Sequence, residues 1–300
     1  MNTEPALTRD FPIGHRTRFA ETAQRWLRGE IEPAKAELAA TVMLVRDRAD
    51  EGLRDAAGSA LEVFLLRRVA SMEFAPSVLV FPGGRVDPRD AQADLEWAGR
   101  GPGGWAEVLG TDEAAARLLV TAAIRELFEE CGVLLAGPDA DSVVADVSSP
   151  TWHDRRMALT RHEISLAEVL AAEGLVLRSD LLSYRAHWVT PGFETRRYDT
   201  RFFCAALPAG QVPDGQTSEA DHAQWADPAE TLAALERGEV MMLPPTQACL
   251  EDIADAPSIE ALTSDARDVP LVMPEPVVLD SGELVLRTPL PPRPATGASR

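Results

Sequence analysis

Three glutamates near the middle of the chain have the spacing of a divalent-cation site. Glu126, Glu129 and Glu130 stand at i, i+3 and i+4, so on a helix their carboxylates would converge on one face. A purely solvated face is unfavourable, because Glu126 and Glu130 repel by about 0.2–0.5 kcal/mol and a helix C-terminus disfavours negative charge. Mg²⁺ and Mn²⁺ prefer carboxylate oxygens, and Mg²⁺ is usually shared with substrate phosphates. The pattern therefore predicts a metal-dependent phosphate site.

A helix over residues 112–131 would position these glutamates. Good helix formers follow an N-cap expected at Thr111, and Gly132 stands at the C′ position. Six residues recur at helical spacing as an apolar stripe: Leu119, Val120, Ala123, Ile124, Leu127 and Cys131. We expect this stripe to pack on a core and the acidic side of the helix to stay free.

Two glycines upstream indicate a second part of the site. Gly83 and Gly84 follow the apolar run Val78–Phe81, which predicts a buried strand that ends in a turn best tolerated by glycine. Such a turn lets backbone atoms approach a ligand closely.

Together the two segments resemble the Nudix hydrolase box, whose usual pattern is G-x5-E-x7-R-E-U-x-E-E-x-G-U, with U a bulky aliphatic residue. The residues that match in register are Gly84, Arg125, Glu126, Leu127, Glu129, Glu130, Gly132 and Val133. Asp90 stands where glutamate is usual, and residues 91–124 replace seven residues of the pattern, an insertion of 27. The inserted stretch, assigned to residues 91–112, is expected to be mostly loop, either a binding element or a surface excursion.

The split box resembles one branch of the family, the group that includes the peroxisomal coenzyme A diphosphatases of animals. Further segments occur in that group's order: Leu65–Arg68, Phe74–Pro76, His187–Pro191, Arg197–Phe203 and Leu243–Thr246. The resemblance covers residues 37–255 and implies an α/β Nudix fold, a mixed β-sheet sandwiched between α-helices. Residues 1–36 and 256–300 would be N- and C-terminal extensions.

The resemblance also implies a role for each matching residue. Glu126, Glu129 and Glu130 would hold the metal with the Gly83 carbonyl oxygen, and Arg125 would orient the glutamates. A further acid from outside the box is expected, with Glu219 as first candidate and Asp221 as a weaker one; an exposed loop acid is an equally good interpretation. Glu126 or Glu219 could serve as general base, and the sequence leaves that choice open.

The charge balance restricts the class of substrate. A net charge of −19 argues against a broad nucleic-acid footprint, because nucleic-acid binding requires a basic surface. A small anionic substrate, here a nucleoside diphosphate derivative, needs only a few local arginines. The candidates are Arg67, Arg68, Arg85, Arg196, Arg197 and Arg201, although each taken singly is better interpreted as a surface arginine.

Composition favours a globular enzyme of the cytoplasm. Hydrophobic residues make up 45% of the 300 residues, enough for a sizeable core. No apolar run approaches the roughly 20 residues of a membrane span, and a secretory segment is not recognised. Three cysteines without metal-type spacing suit a reducing compartment, and the last residues differ from the Ser-Lys-Leu peroxisomal address. The oligomeric state stays open.

Periodicity and turn residues predict the remaining elements. Strands are expected at residues 38–45, 61–66, 78–81, 187–189 and 200–206, and helices at 18–27, 112–131, 165–173, 228–237 and 246–254. A hairpin is expected over Val277–Leu286, and the Pro-rich end from Thr288 is expected to be disordered.

The leading hypothesis is hydrolysis of a pyrophosphate bond with Mg²⁺ or Mn²⁺, which would polarise a phosphate oxygen and lower the pKa of water. The resemblance favours coenzyme A or acyl-coenzyme A, cleaved to 3′,5′-ADP and (acyl-)4′-phosphopantetheine. ADP-ribose, dinucleotides and nucleotide sugars are alternative substrates. A nucleotide sensor that does not hydrolyse its ligand is the alternative of another class, and the retention of three box glutamates argues against it.

Overall fold

The computed structural model describes residues 7–13, 17–48, 59–69, 77–92, 95–217, 220–264 and 268–291. Its strands are β1 (Leu7–Pro12), β2 (Ala36–Asp47), β3 (Leu61–Arg68), β4 (Leu79–Val80), β5 (Gly83–Arg85), β6 (Trp97–Ala98), β7 (Ala136–Gly137), β8 (Val176–Arg178), β9 (Ser183–Val189), β10 (Arg197–Ala206), β11 (Ala220–Ala226), β12 (Leu271–Val272), β13 (Glu275–Val278) and β14 (Leu284–Leu290). Its helices are α1 (Thr17–Leu27), α2 (Pro102–Leu109), α3 (Glu113–Cys131), α4 (Pro150–Thr160), α5 (Leu166–Glu173), α6 (Pro228–Glu236), α7 (Pro244–Ala254) and α8 (Ile259–Thr263), with 3₁₀ helices at Pro88–Ala91 and Ser179–Leu181.

The chain forms two compact units. The terminal unit contains the described parts of residues 1–38, 186–200 and 268–300, and the central unit contains those of residues 39–185 and 201–267. This grouping differs from the expected division at residues 36 and 255, because residues 186–200 group with the terminal segments. The site residues of the box all belong to the central unit.

The main sheet has β11-β3-β2-β10-β9 as neighbouring strands, with β4 paired to β3 and β5 to β2. β2 and β3 are antiparallel, with Val45 opposite Val63. Successive residues along both strands are buried, so both faces of the sheet are covered. In a smaller sheet β6 pairs parallel and β7 antiparallel with β8. The expected α/β fold with mixed sheets is confirmed.

The terminal unit has its own sheet and small core. β1 pairs antiparallel with β14, which also pairs with β13, and β12 pairs parallel with β9 at His187 and Trp188. Phe11, Phe193 and Leu286 are buried together, and Phe19 contacts Phe193 edge-to-face with centroids 4.8 Å apart. The two ends of the described chain are therefore joined by strand pairing.

Two expectations for the C-terminal segment have different outcomes. The hairpin is confirmed, with Val277 opposite Val285. Disorder from Thr288 is wrong for residues 288–290, because they continue β14 and pair with Arg9, Thr8 and Leu7. Backbone hydrogen bonds to the N-terminal strand β1 stabilise these residues, and composition does not reveal such pairing. Residues 292–300 and the segment Phe74–Pro76 lie outside the described residues.

The expected loop character of the insertion is wrong in part. Residues 97–98 form β6 and residues 102–109 form α2, which packs against α3. Trp105 of α2 is buried and contacts Phe203 edge-to-face with centroids 5.7 Å apart. The glycines of this stretch suggested a loop, but two of them cap the short helix. Gly101 is its N-cap and Gly110, with φ 61°, is its C-cap. The insertion therefore contributes to the core of the central unit.

The five predicted helices correspond to α1, α3, α5, α6 and α7, with ends within two residues of the expected positions. Helix α4 was missed, although Ser149 and Pro150 form a recognisable N-cap and first turn. In the part of the chain that the structure describes, no helix is long and apolar enough to cross a membrane.

Candidate active site

Helix α3 carries the glutamates and begins and ends at well-defined caps. The Asp112 side chain accepts a hydrogen bond from the Ala115 N–H at 2.8 Å, so the N-cap is Asp112 and not Thr111. Gly132 ends the helix with φ 68°, and its N–H donates to the Phe128 carbonyl. All six residues of the predicted apolar stripe are buried. The stripe thus fixes which side of the helix carries the acids.

The guanidinium of Arg125 is the centre of the site. Its Nε and Nη2 donate to the Asp90 carboxylate at 2.9 and 3.1 Å, and Nη1 donates to Glu126 at 2.8 Å and to Glu129 at 3.3 Å. Nη2 also donates to the Arg85 carbonyl at 2.9 Å. With 4% of its surface exposed, Arg125 binds three carboxylates in a largely desolvated place. The predicted role of Arg125 in orienting the glutamates stays a prediction.

Asp90 reaches Arg125 from a 3₁₀ turn that lies before the insertion. Asp87 caps this turn, and the Asp90 carboxylate accepts the Asp87 N–H at 2.8 Å, which makes a reciprocal capping box. Burial raises the pKa of Asp90, whereas the contacts with Arg125 oppose that rise. The pKa of Arg125 itself is raised: burial works against this, but the charge of Glu126 and the hydrogen bond to Asp90 outweigh it. Because Asp90 receives three N–H donors, we treat the pair as ionised.

Glu130 and the two glycines connect the helix to β5. Glu130 accepts the Gly83 N–H at 2.8 Å. Gly83 lies opposite Thr41 of β2, where an added methyl group would come within 2.5 Å of the Ala40 carbonyl oxygen. A methyl group on Gly84 would collide with the Glu126 carboxylate. Close approach therefore explains both glycines.

One expectation about the acidic face needs correction. The side is not free, because Glu130 is buried and the Glu129 side chain is only 10% exposed. The three glutamates lie on one helix, where Glu126 and Glu129 accept hydrogen bonds from Arg125 and Glu130 accepts one from the Gly83 N–H. The sequence pattern could not anticipate that a buried guanidinium would compete for the carboxylates. Burial also raises the pKa of Glu129, with Arg125 and His162 opposing it.

The donor chemistry fits a hard divalent cation. Within the described residues, no group of three or more His, Cys, Asp and Glu side chains is arranged so that it could hold a metal ion. The box nevertheless offers only oxygen donors, the carboxylates and the carbonyl oxygen of Gly83, and the absence of a side chain at Gly84 leaves room for the Glu126 carboxylate. An all-oxygen donor set with excess negative charge matches Mg²⁺ or Mn²⁺.

Arg156, which was not predicted from the sequence, forms hydrogen bonds at the C-terminal end of α3. Arg156 of α4 is buried, and its Nε donates to the Glu129 carbonyl at 3.0 Å. Its Nη1 donates to both carboxylate oxygens of Asp214, at 2.8 and 2.9 Å, and the Asp214 N–H donates to the Cys131 carbonyl. The sequence signal that could have indicated Arg156 is its helical spacing with Trp152 and Leu159, the other two buried residues of α4.

The structure places the other predicted site residues as follows. Exposed Arg67 pairs with Asp221 at 2.7 Å, and Arg68 is half-buried on the same strand. The Arg85 side chain is exposed beside the box, Arg201 is buried in β10, and Glu219 lies outside the described residues. Arg197, in the terminal unit, donates to the Thr190 and Ala34 carbonyls at 3.0 and 2.7 Å. Substrate contacts by these arginines stay predictions.

Known proteins resemble this chain in sequence. A sequence profile described as the NUDT19 Nudix domain matches residues 107–251. The human acyl-coenzyme A diphosphatase NUDT19 is 29% identical in an alignment of 226 positions that covers 61% of this chain and 58% of that protein. The putative nudix hydrolase 7 of Caenorhabditis elegans is 27% identical in an alignment of 192 positions that covers 61% of this chain and 52% of that protein. The chain thus spans little more than half the length of these relatives.

A solved structure agrees with these matches at the level of the fold. The Nudix hydrolase from Alicyclobacillus acidocaldarius superimposes with a TM-score of 0.64 at 27% identity, over 77% of this chain and 96% of that one. The superposition, the profile and the box gathered around Arg125 agree with one another. The chain is therefore similar to Nudix hydrolases and resembles their coenzyme A diphosphatase branch.

Proposed function

We propose that the protein is a divalent-metal-dependent diphosphatase that hydrolyses the pyrophosphate bond of a nucleoside diphosphate derivative, with coenzyme A or acyl-coenzyme A as preferred substrate. The observation that carries the proposal is the gathering of Asp90, Glu126 and Glu129 on the buried Arg125, across an insertion of 27 residues. The chain has kept the box as a spatial unit although its sequence is interrupted. The vertebrate relatives are named acyl-coenzyme A diphosphatases, and this supports the substrate preference.

The residues of the chain have separable tasks in this proposal. Glu126, Glu129, Glu130 and the Gly83 carbonyl would hold Mg²⁺ or Mn²⁺. The bound ion would supply Lewis-acid polarisation of a phosphate oxygen and acidification of water. Arg125 holds Glu126 and Glu129 beside each other, and Glu126 or Glu219 would accept the proton of the attacking water. Water attacks phosphorus, and the bridging P–O bond breaks.

The test is a product analysis on a panel of substrates. The purified protein is incubated with Mg²⁺ or Mn²⁺ and coenzyme A, acyl-coenzyme A, ADP-ribose, NADH or a nucleotide sugar, and products are identified by mass. We expect 3′,5′-ADP and 4′-phosphopantetheine from coenzyme A. Faster release of AMP from ADP-ribose or NADH would reassign the substrate. Binding of these compounds without turnover of any would replace the enzyme with a sensor.

A further inference from the structure

The turn between α4 and α5 is fastened to the first half of the box. The guanidinium of Arg89 donates to the His162 carbonyl, and the same guanidinium holds Asp87 through Nε and Nη2 at 2.9 and 2.8 Å. The Nδ1 atom of His162 lies 3.4 Å from Asp87. A third contact joins Ser165 to Gln92 at 2.7 Å. These contacts bring His162 to the rim of the carboxylate site.

The backbone of His162 has a conformation that residues other than glycine rarely adopt. Its φ is 58°, the left-handed region in which glycine is the usual residue at the end of a helix. Helix α5 follows that usual rule, since it ends at Gly174 with φ 65°. A strained non-glycine residue beside an active site is a reason to look for a function of its side chain. The His162 side chain is 62% exposed, so packing does not explain why histidine and not glycine stands at this position.

Beside the metal ion of the proposed function, a further hydrogen-bond donor would help this acidic site to hold an anionic substrate. Five carboxylates, those of Asp87, Asp90, Glu126, Glu129 and Glu130, stand against two guanidiniums, Arg89 and Arg125, which are already bonded to them. Two of the arginines predicted to bind phosphate are engaged elsewhere, Arg67 with Asp221 and Arg197 with backbone carbonyls. His162 reaches this cluster, because its Nδ1 atom lies 3.4 Å from the Asp87 carboxylate.

We propose that His162 is a substrate-binding residue, whose ring donates from Nε2 to a phosphoryl oxygen of the nucleoside diphosphate while Nδ1 faces Asp87. In a doubly protonated imidazole both nitrogens are donors, so one ring can bridge the Asp87 carboxylate and a phosphoryl oxygen. The inference rests on the proposed function, because it names how that same site holds its substrate.

The test compares binding with folding stability. Binding of α,β-methylene-ADP, a diphosphate that cannot be hydrolysed at the bridge, is measured by calorimetry with Mg²⁺ for the wild type, His162→Gly and His162→Asn. We expect Kd to rise about 10- to 100-fold for His162→Gly, since a hydrogen bond to a charged group is lost. His162→Asn keeps a donor and tolerates positive φ, so we expect a smaller rise. The Tm of His162→Gly should equal or exceed that of the wild type, because glycine relieves the backbone.

Two substitutions serve as matched controls. Ser77 also has φ 58°, so Ser77→Gly reports relief of the same strain without loss of an imidazole. His153 is an exposed histidine of α4, so His153→Asn reports removal of an imidazole away from the box. We expect both to leave Kd unchanged.

The possible outcomes distinguish failure of the proposed role of His162 from failure of the proposed diphosphatase activity. Unchanged affinity in His162→Gly overturns the role of His162, whether or not the substrate panel is hydrolysed. A fall of Tm together with affinity overturns it as well, because the Asp87 contact would then be structural. Affinity lost in His162→Gly, with no turnover by the wild type, supports His162 and refutes the diphosphatase. A wild type that neither binds the probe nor hydrolyses any substrate refutes both.

Discussion

The guanidinium of Arg125 organises the site because one buried cation serves three carboxylates. Two hydrogen bonds to the Asp90 carboxylate and one to the Arg85 carbonyl hold the guanidinium in place. A planar guanidinium suits such bidentate contacts. Arginine at this position is therefore not replaceable by lysine. The same arrangement makes Asp90 a stability residue as well as a site residue.

Asp90→Asn should lower the free energy of unfolding by about 3–5 kcal/mol, because it leaves Arg125 without its bidentate buried partner. Denaturant unfolding measures the change. The matched control is Asp221→Asn, which breaks the exposed pair with Arg67, whose side chains are 49% and 44% exposed; its effect should stay within about 0–1 kcal/mol. Equal effects of the two substitutions would contradict a buried ion pair at Asp90.

Glu129→Gln and Glu130→Gln should each lower kcat/KM by about 10²-fold or more, because a neutral amide cannot stabilise a cation as a carboxylate does. The fold should persist, since a glutamine oxygen at position 130 can still accept the Gly83 N–H. Steady-state kinetics and circular dichroism report the two properties. Glu113→Gln is the control, an exposed acid in the first turn of the same helix. Near-normal rates in both site variants would refute the metal assignment.

At the scale of elements, α3 shows how a helix tolerates acids at its C-terminal end. Its last carbonyls accept hydrogen bonds from Gly132, from Arg156 and from the Asp214 backbone. The positive charge of Arg156 offsets the negative end of the helix dipole. The Arg156 guanidinium fills the space next to Gly132, where an added methyl group would come within 2.7 Å of Nη1. Gly132 is thus required both for its backbone angle and for room.

Gly132→Ala should be more destabilising than Gly174→Ala, and the comparison isolates the role of Arg156. Both glycines end helices with similar φ, 68° and 65°, but no atom lies within 4 Å of a methyl group at Gly174. We expect about 1 kcal/mol for the backbone strain at Gly174 and a further 1–3 kcal/mol or so for the clash at Gly132. Thermal or denaturant unfolding measures both. Equal losses would mean that Arg156 moves aside freely.

At the scale of the whole molecule, the insertion belongs to the core of the central unit. Trp105 is 1% exposed, and its ring centroid lies 5.7 Å from the ring centroid of Phe203 and 5.6 Å from the Cζ atom of Arg100. A stretch that interrupts the box in the sequence has thus become a support of the helix that completes the box. Deleting it would remove packing along with any role in substrate choice.

Trp105→Ala should lower the free energy of unfolding by about 3–5 kcal/mol, the usual effect of emptying a buried aromatic site. Val108→Ala is the control on the same helix, because Val108 is 37% exposed, and it should change the free energy of unfolding by less than about 0.5 kcal/mol. Denaturant titration of the full chain measures both. A small effect at Trp105 would restore the interpretation of the insertion as a surface excursion.

The sequence alone determined the box, its helix and most neighbouring elements, because these depend on local signals. The spacing of Glu126, Glu129 and Glu130, the apolar stripe and Gly132 are read within one helix, and helix periodicity and caps act over a few residues. The hairpin at residues 277–286 was predictable for the same reason.

Only the tertiary structure decided which partners meet across long separations. Arg125 meets Asp90 over 35 residues, Arg156 meets Asp214 over 58, and β1 pairs with β14 at the other end of the chain. Local patterns carry no information about such pairs, since their energy comes from burial and from hydrogen bonds formed only after the chain has folded. For the same reason the sequence predicted that the acidic side of the helix stays free, whereas in the folded chain Glu126 and Glu129 bind a buried arginine.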